Sequence, residues 1–341
     1  MAVLSTNNLT LVDWAKRTDK QGNIPVIAEL LAQTNEILDD CVFVMANDVT
    51  SHRVVIRTGL PSVYWRSINE GIPPSKSTTA QVDESIGMLE AYSEPDVELV
   101  KLNGNTEETR LSEDVAFLEA MNQEMASTIF YGNPASDSNK PLGLAPRYSQ
   151  HTNAGNSQNV ISAGGAGSDN TSAWLLVWGE QSVFCTFPKG STAGLEHHDM
   201  GEQLIQKSDG TRYKALVTHY IWKLGLVVKD WRYVVRICNI DVSDLIGQIG
   251  TQLSTASTAL VKLMSRALDR VPNLNMGKAC FYMNRTCFSG LKLAAMDKSS
   301  SALGIEQAKD QFGTSRAWLS YEGVPIRKTD ALLNTESVVP A

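Results

Sequence analysis

The longest run of apolar positions at helical spacing lies in residues 111–131. Its apolar stripe comprises Leu111, Val115, Leu118, Met121, Met125 and Ile129. Such a stripe is typical of an amphipathic helix that packs one face on a core. Ser112 is the predicted N-cap, and Gly132-Asn133-Pro134 is predicted to end the helix.

Other segments show either helical spacing or runs of β-branched and aromatic residues. Helical spacing predicts helices over 253–268 and 286–296 and an amphipathic segment within 1–45. Apolar β-branched runs predict strands over 171–179, 182–187, 213–229, 232–240, 279–283 and 323–332. The order is a helical arm, an extended β segment, a long helix and then mixed elements. This order predicts an α+β fold.

Residues 46–92 form a long excursion that is extended but poor in apolar residues. Strand-like composition marks 52–57, 62–68 and 80–92. Residues 71–79 cannot form regular structure because Pro73-Pro74 is followed mainly by Ser, Thr and Lys. A two-stranded excursion of this kind is hard to stabilise alone. We therefore expect its partner surface to lie outside the excursion.

Composition places the 341-residue chain among ordinary soluble proteins of about two domains, with 43% hydrophobic and 20% charged residues. Apolar runs are too short to span a bilayer, so no membrane partner is expected. The start MAVLSTNNLT lacks a secretory pattern, which predicts synthesis in the cytosol. The net charge of −7 argues against a dedicated nucleic-acid binder. Five cysteines without a CxxC pair indicate reduced, buried thiols.

Charge is distributed unevenly along the chain. Residues 52–76 contain four basic residues and one acid, whereas residues 83–114 contain ten acids and two basic residues. A basic arm beside an acidic segment can be self-complementary between copies, and head-to-tail contacts of this kind close into rings. The alternative is two solvated faces of opposite sign.

The most metal-like cluster is Glu196, His197, His198, Asp199 and Glu202. It lacks an HExxH or His-x-His spacing, so a solvated loop is the favoured interpretation. The glycines of 164–167 lack the context of a phosphate-binding loop, and no GxSxG motif is present. The residues thus predict no catalytic residue, no cofactor and no metal ligand.

The order of three motifs resembles a known family. These motifs are GLPSVYWRSINEGIPPSKS (59–77), TIFYGNPASDSNKPLGL (128–144) and WLSYEGVPIRKTDALL (318–333). In this order they resemble the major capsid proteins of tailed bacteriophages, which have the Hong Kong 97-type fold. The resemblance is closest to the capsid proteins of short-tailed, epsilon-15-type phages.

The resemblance implies an α+β capsid fold with an N-terminal arm, an extended E-loop, a peripheral domain with a long spine helix, and an axial domain. The implied segments are 1–45 for the N-arm, 46–92 for the E-loop, 93–150 for the peripheral domain with spine helix 111–131, 151–300 mainly for the axial domain, and 301–341 for the return to the peripheral domain. Because the implied E-loop starts near residue 46, the sequence before it is too short for a fused scaffolding domain. A separate scaffolding protein is therefore expected.

The implied function is a non-enzymatic subunit that self-assembles as pentamers and hexamers into an icosahedral shell around double-stranded DNA. Expected partners are other copies, scaffolding, portal and decoration proteins, and DNA through weak non-specific contact. The expected location is the virion capsid, assembled in the cytoplasm of the bacterial host. The candidate inter-subunit contacts are Arg53, Arg57, Tyr64, Trp65, Arg66, Lys76, Glu94, Asp96, Glu107 and Glu108.

Two alternatives stay open at this point. One keeps the fold but makes the chain the shell of an encapsulin-like compartment that stores a cargo enzyme. The other is a metal-dependent enzyme that uses His197, His198, Asp199 and Glu202. Covalent cross-linking does not follow from the sequence, although Lys76 lies at the predicted E-loop tip.

Overall fold

The computed structural model describes Asp13 and residues 32–102, 106–207, 210–246, 251–296, 303–309 and 315–341. Most of the predicted helical segment within 1–45 lies outside the described residues. Its last part contains a short helix, Ile37–Asp40, followed by a strand. Within the described ranges, no helix is both long and apolar enough to cross a membrane.

The described helices and strands confirm a mixed α and β class. The helices are α1 (Ile37–Asp40), α2 (Val97–Val100), α3 (Thr106–Tyr131), α4 (Leu144–Arg147), α5 (Ser243–Ile246), α6 (Thr251–Arg270) and α7 (Arg285–Met296). The strands are β1 (Phe43–Met45), β2 (Ser51–Gly59), β3 (Thr78–Ser85), β4 (Gly87–Ser93), β5 (Val160–Ser162), β6 (Asn170–Trp178), β7 (Val183–Phe187), β8 (Leu195–Gln206), β9 (Arg212–Val228), β10 (Val234–Asp241), β11 (Lys278–Met283), β12 (Leu303–Lys309), β13 (Ser315–Tyr321) and β14 (Val324–Lys328).

Most of the described strands belong to one mixed sheet. Its main path runs β12-β13-β14-β11-β6-β7-β9-β4, with β10 beside β6, β5 beside β10, β1 beside β7, and β8 beside β9. Strand β6 lies at the centre and all nine of its residues are buried. This burial on both faces explains why residues 173–178 of the strand are a continuous apolar run rather than an alternating one.

The two faces of β6 belong to two hydrophobic clusters. Leu175 and Val177 pack with residues of α6 and α7, including Met264 and Leu291. On the opposite face, Trp174, Leu176 and Trp178 pack with Met125, Ile129 and Phe130 of α3. The predicted helices therefore cover both sides of the sheet, as their apolar stripes require.

The long helix α3 begins five residues earlier than the sequence predicted. Ser112 lies inside the helix, where its hydroxyl donates to the carbonyl of Thr109 at 2.9 Å. The prediction of Ser112 as N-cap was therefore wrong, because a serine can also bond the preceding helical turn. The predicted end at Gly132 is confirmed: this residue's backbone N–H donates to Thr128, and the helix stops at Tyr131.

Strands β4, β9 and β8 form a three-stranded part of this sheet beside α3, which we call the three-stranded sheet. Strand β9 lies in the middle, with β4 on one side and β8 on the other. Strand β8 coincides with the segment that the sequence predicted as a solvated loop. It is an exposed edge strand with mostly polar side chains, and such a strand lacks the apolar signal on which the prediction depended.

The C-terminal residues are tied to the core through polar contacts. Glu336 accepts hydrogen bonds from Tyr131 and Ser172 and a charged one from Arg236 at 2.9 Å. The Asn239 side chain bonds both backbone groups of Val339, at 2.8 and 3.1 Å. The end of the chain therefore returns to the end of α3 and to the central sheet.

Candidate interaction surfaces

Strands β2 and β3 form a long antiparallel pair, which we call the extended hairpin (residues 51–85). The segment 62–68, predicted as extended β structure, is not a strand but part of the irregular connection 60–77. Every residue from 60 to 83 is exposed. The outer part of the hairpin thus projects from the described body of the chain.

The tip of the hairpin exposes large apolar side chains. Trp65 is fully exposed, Val63 and Ile68 are each 90% exposed, and Leu60 is 80% exposed. Tyr64 is half-exposed beside them. An apolar surface of this kind marks a site of contact with another molecule.

The basic residues of the hairpin differ in their surroundings. Arg53 forms a two-bond ion pair with Asp83, directly opposite it on β3, at 2.7 and 2.8 Å. This pair raises the pKa of Arg53 and lowers that of Asp83. Arg57, Arg66 and Lys76 are exposed and form no ion pair with any described residue. These three cations are therefore available to a second molecule.

The base of the hairpin is fixed to the body by a buried ion pair. Arg147 of α4 donates two hydrogen bonds of 2.6 Å to the carboxylate of Glu84 on β3. The same guanidinium donates to the carbonyls of Leu142 at 3.1 Å and Leu226 at 3.2 Å. Sequence reasoning missed this pair, since nothing in the order of residues indicates that Glu84 alone among the hairpin acids is buried.

A second exposed apolar surface lies on the N-terminal half of α3. Leu111 is 65% exposed, and Val115 and Leu118 are each 37% exposed. The sequence placed them on one stripe with Met125 and Ile129, which are buried. We call the exposed part (Leu111, Val115 and Leu118) the outward stripe.

Polar contacts explain why the outward stripe is not buried. In this half of α3, Arg110 bonds Thr218 at 3.1 Å and Asp199 at 3.0 Å. Burial, and then the negative charge of Asp114, raise the pKa of Tyr220 to about 12. Polar side chains therefore occupy the helix face that meets the three-stranded sheet. The apolar side chains beside them point away from it.

The four candidate acids do not form one cluster with a single role. Glu107 and Glu108 are exposed in the first turn of α3, where the helix dipole favours negative charge. They directly precede the outward stripe. Asp96 caps α2 by accepting the backbone N–H of Glu98 at 2.8 Å, and Glu94 is half-buried nearby in the chain.

The metal-like cluster separates onto two faces of β8. His197 lies against the ring of Tyr220, and Asp199 pairs with Arg110 at 3.0 Å. His198 points to the opposite face, next to His219. Glu202 pairs with Lys101 at 3.2 Å. The described His, Cys, Asp and Glu side chains include no group of three placed to enclose an ion.

The cysteines are free thiols, and four of the five are buried. Burial raises the pKa of Cys238 and of Cys280 to about 11 and that of Cys287 to about 12. These three side chains stay protonated near neutral pH and act as apolar packing groups.

The model of the family described as "Major capsid protein GP7" matches residues 19–340 of the chain. A chain in the cryo-EM structure of bacteriophage epsilon15 is 33% identical, with 100% of both chains covered and a TM-score of 0.74. No curated protein matches the chain significantly.

Two further solved structures are more distant. The capsid of bacteriophage JBD30 has 9% identity and a TM-score of 0.48, with 89% of this chain and 92% of that chain covered. The SrpI encapsulin of Synechococcus elongatus has 10% identity and a TM-score of 0.46, with 68% of this chain and 97% of that chain covered. At such values neither supports an argument about this chain.

The family match and the similarity to epsilon15 confirm the resemblance inferred from the three sequence motifs, including its epsilon-15-type character and the Hong Kong 97-type fold. They favour a phage capsid over an encapsulin-like compartment. The chain belongs to the family of the major capsid protein GP7 and is the major capsid protein of a phage.

Proposed function

We propose that copies of this chain assemble as pentamers and hexamers into an icosahedral shell around double-stranded DNA, and that the chain has no enzymatic role. The observation that carries the proposal is the extended hairpin. Residues 60–83 are exposed throughout, and the tip presents Trp65 without any covering side chain. Burying this apolar surface against another copy lowers the free energy, because it removes the surface from water.

The surface on the neighbouring copy that suits the tip best is the N-terminal half of α3. The outward stripe offers apolar surface for Val63, Trp65 and Ile68. Glu107 and Glu108 offer negative charge for the unpaired hairpin cations Arg57, Arg66 and Lys76. Apolar contact at the centre with charge pairing at the rim is the usual anatomy of a protein interface.

The remaining candidate contact residues have smaller roles in the proposed interface. Tyr64 joins the apolar contact beside Trp65. Arg53 stiffens the hairpin through Asp83 rather than reaching a neighbour. Glu94 and Asp96 lie before α3 and extend the acidic surface. Many modest contacts of this kind sum to a stable shell because each subunit is held by several neighbours.

We also propose for this chain the domain assignment and the partners that its resemblance to the family implies. Residues 1–45 act as the N-arm, 46–92 as the E-loop, 93–150 and 301–341 as the peripheral domain, and 151–300 mainly as the axial domain. A separate scaffolding protein, a portal and a decoration protein are the expected partners, and the shell assembles in the cytoplasm of the bacterial host. The net charge of −7 keeps contact with DNA phosphates weak.

Electron microscopy of the purified protein tests the proposal. The chain is expressed alone and with the neighbouring genes of its phage, and the products are examined by negative stain. Closed shells or capsomer rings are expected for the natural sequence. Trp65→Asp is expected to abolish them while leaving a folded subunit, as judged by an unchanged thermal transition.

A matched control distinguishes loss of the tip contact from a general effect of adding a charge to the surface. Met276→Asp places the same charge at another partly exposed apolar position, far from the hairpin in sequence. This variant is expected to assemble. Compact monomers of the natural chain under every condition, including with scaffold, would contradict the proposal.

A further inference from the structure

The base of the extended hairpin packs on an apolar patch of the body. Val54 of β2 is buried with Phe184 of β7 and Val227 of β9 in a small hydrophobic cluster. His52, two residues before Val54, lies on the same face of β2. Its ring meets the ring of Phe184 in a T-shaped arrangement, with centroids 5.5 Å apart and planes at 88°. A histidine therefore takes part in an otherwise apolar contact between the hairpin and the body.

The surroundings of the His52 ring suit its neutral form. Nδ1 is buried and has no hydrogen-bond partner among the described residues. A neutral ring can carry its proton on Nε2 and leave Nδ1 as a bare acceptor. The charged ring carries an N–H at both nitrogens, so protonation would bury an unpaired donor beside Phe184.

Charged groups on the neighbouring elements do not compensate for this cost. Glu84 lies directly opposite His52 on β3, but both of its carboxylate oxygens already accept from Arg147 of α4 at 2.6 Å. On β2 itself, Arg53 is exposed and pairs with Asp83. The nearest carboxylate is thus already engaged by another cation.

The balance of these effects favours the neutral ring. Burial and the positive charge of Lys229, directly after β9, lower the pKa of His52, whereas the charge of Glu84 raises it. The first two effects outweigh the third, so the pKa lies below the ordinary value of 6.5.

We propose that the base of the extended hairpin is an acid-sensitive attachment, in which His52 takes up a proton in weak acid and the base loosens from Phe184 and Val227. Above about pH 6.5 the ring is neutral in both the attached and the detached hairpin, so the attachment has its full stability. Below that pH the detached ring is protonated first, because only the attached ring has the lowered pKa. The attached state therefore loses stability as pH falls from about 6.5 through the pKa of the attached ring. This inference concerns the subunit alone and does not rest on assembly into a shell.

Hydrogen–deuterium exchange of the purified, unassembled full-length chain at pH 7.5 and pH 5.0 tests the proposal, with rates corrected for the intrinsic effect of pH on exchange. Peptides that cover Val54 and Glu84 report the attachment, and a peptide from the buried strand β6 reports opening of the whole subunit. A detached ring with a pKa of about 6.5 limits the increase in opening between the two pH values to about 30-fold. Within this limit we expect an increase of at least about threefold at the hairpin base, and a smaller one in β6.

Substitution of His52 separates its titration from other effects of acid. His52→Phe keeps a ring against Phe184 but cannot take up a proton, so the increase at the hairpin base should fall to that of β6. His198→Phe is the matched control, because it makes the same change on the exposed strand β8, where the ring lies next to His219. This control should keep the natural increase at the hairpin base.

Thermal melting at pH 7.5 checks that each variant is folded, and His52→Gln replaces His52→Phe if that variant is not. The proposal is overturned if exchange at the hairpin base of the natural chain rises no more than exchange in β6. It is also overturned if the folded His52 variant keeps the natural increase, or if His198→Phe loses it.

Discussion

Glu84 and Arg147 form a buried two-bond ion pair at the point where the extended hairpin leaves the body of the chain. Both bonds are 2.6 Å long, and the two side chains are only 6% and 14% exposed. The same hairpin carries Arg53 and Asp83 as an exposed pair one position away. The orientation of the projecting hairpin therefore depends on this buried contact with α4 together with the packing of Val54 and His52 against Phe184.

Glu84→Gln is predicted to destabilise the subunit by about 3–5 kcal/mol, because it leaves the buried Arg147 charge without its counter-ion. The carbonyls of Leu142 and Leu226 still accept from the guanidinium, so the subunit is expected to fold. Urea denaturation measures the change. Asp83→Asn is the control and is expected to have a much smaller effect, because the Arg53–Asp83 pair is exposed. Equal losses for the two variants would show that Glu84 does not anchor the hairpin.

Charge reversal on α3 is predicted to prevent assembly. Glu107→Lys combined with Glu108→Lys should repel the hairpin cations of the neighbouring copy, and size-exclusion chromatography should show unassembled subunits. Adding Arg57→Glu and Arg66→Glu should restore part of the assembly, since the charges are then exchanged. If the fourfold variant assembles no better than either double variant, these residues do not face one another.

The two halves of the α3 stripe are predicted to respond differently to truncation. Met125→Ala should cost about 2–5 kcal/mol of subunit stability, because the side chain is buried in the core. Leu111→Ala should leave subunit stability within about 0.5 kcal/mol, as for ordinary surface positions, yet reduce assembly. Denaturation and shell yield measure the two effects. A stable, fully assembling Leu111→Ala variant would exclude the outward stripe from the interface.

The contact between α3 and β8 is predicted to weaken in acid. The backbone N–H of Gly201 and the guanidinium of Arg110 both favour the charged form of Asp199 and lower its pKa below the usual 3.8. A lowered carboxyl pKa stabilises the fold above about pH 4, and this contribution is lost as pH falls through the folded value.

The natural chain should therefore exceed Asp199→Asn in stability at pH 7, by less than about 1 kcal/mol because the side chain is half-exposed. The difference should vanish towards pH 2. Urea denaturation at both pH values measures it, and a difference that grows in acid would contradict the assignment.

The sequence predicted the parts of the fold that bury apolar residues. The strand predicted over 171–179 matches β6 because both of its faces are covered. The helices predicted over 253–268 and 286–296 match α6 and α7 within two residues at each end. Strand β8 was missed because its exposed, polar residues do not alternate with apolar ones. Its place in the sheet comes from pairing with β9, a long-range contact without a local signal.

The candidate surfaces were predicted less completely. The sequence predicted that 46–92 forms an excursion without a core of its own, and residues 60–83 are exposed. The inter-subunit contacts of Trp65 and Arg66 stay a prediction. The sequence could not separate Leu111 from Met125, because both fit one helical stripe and only tertiary packing distinguishes them. Nor could the sequence show that Glu84 is buried whereas the adjacent Asp83 is exposed. The burial of Glu84 depends on its pairing with Arg147, which folding brings next to it.

A cryo-EM map of the assembled shell, at a resolution that shows side chains, tests the central claim most directly. The account predicts that Trp65 at the hairpin tip of one subunit lies on Leu111, Val115 and Leu118 of its neighbour, with Arg57, Arg66 or Lys76 within ion-pair distance of Glu107 or Glu108. A closed shell in which the tip contacts only solvent, or in which the outward stripe faces no other subunit, would contradict it.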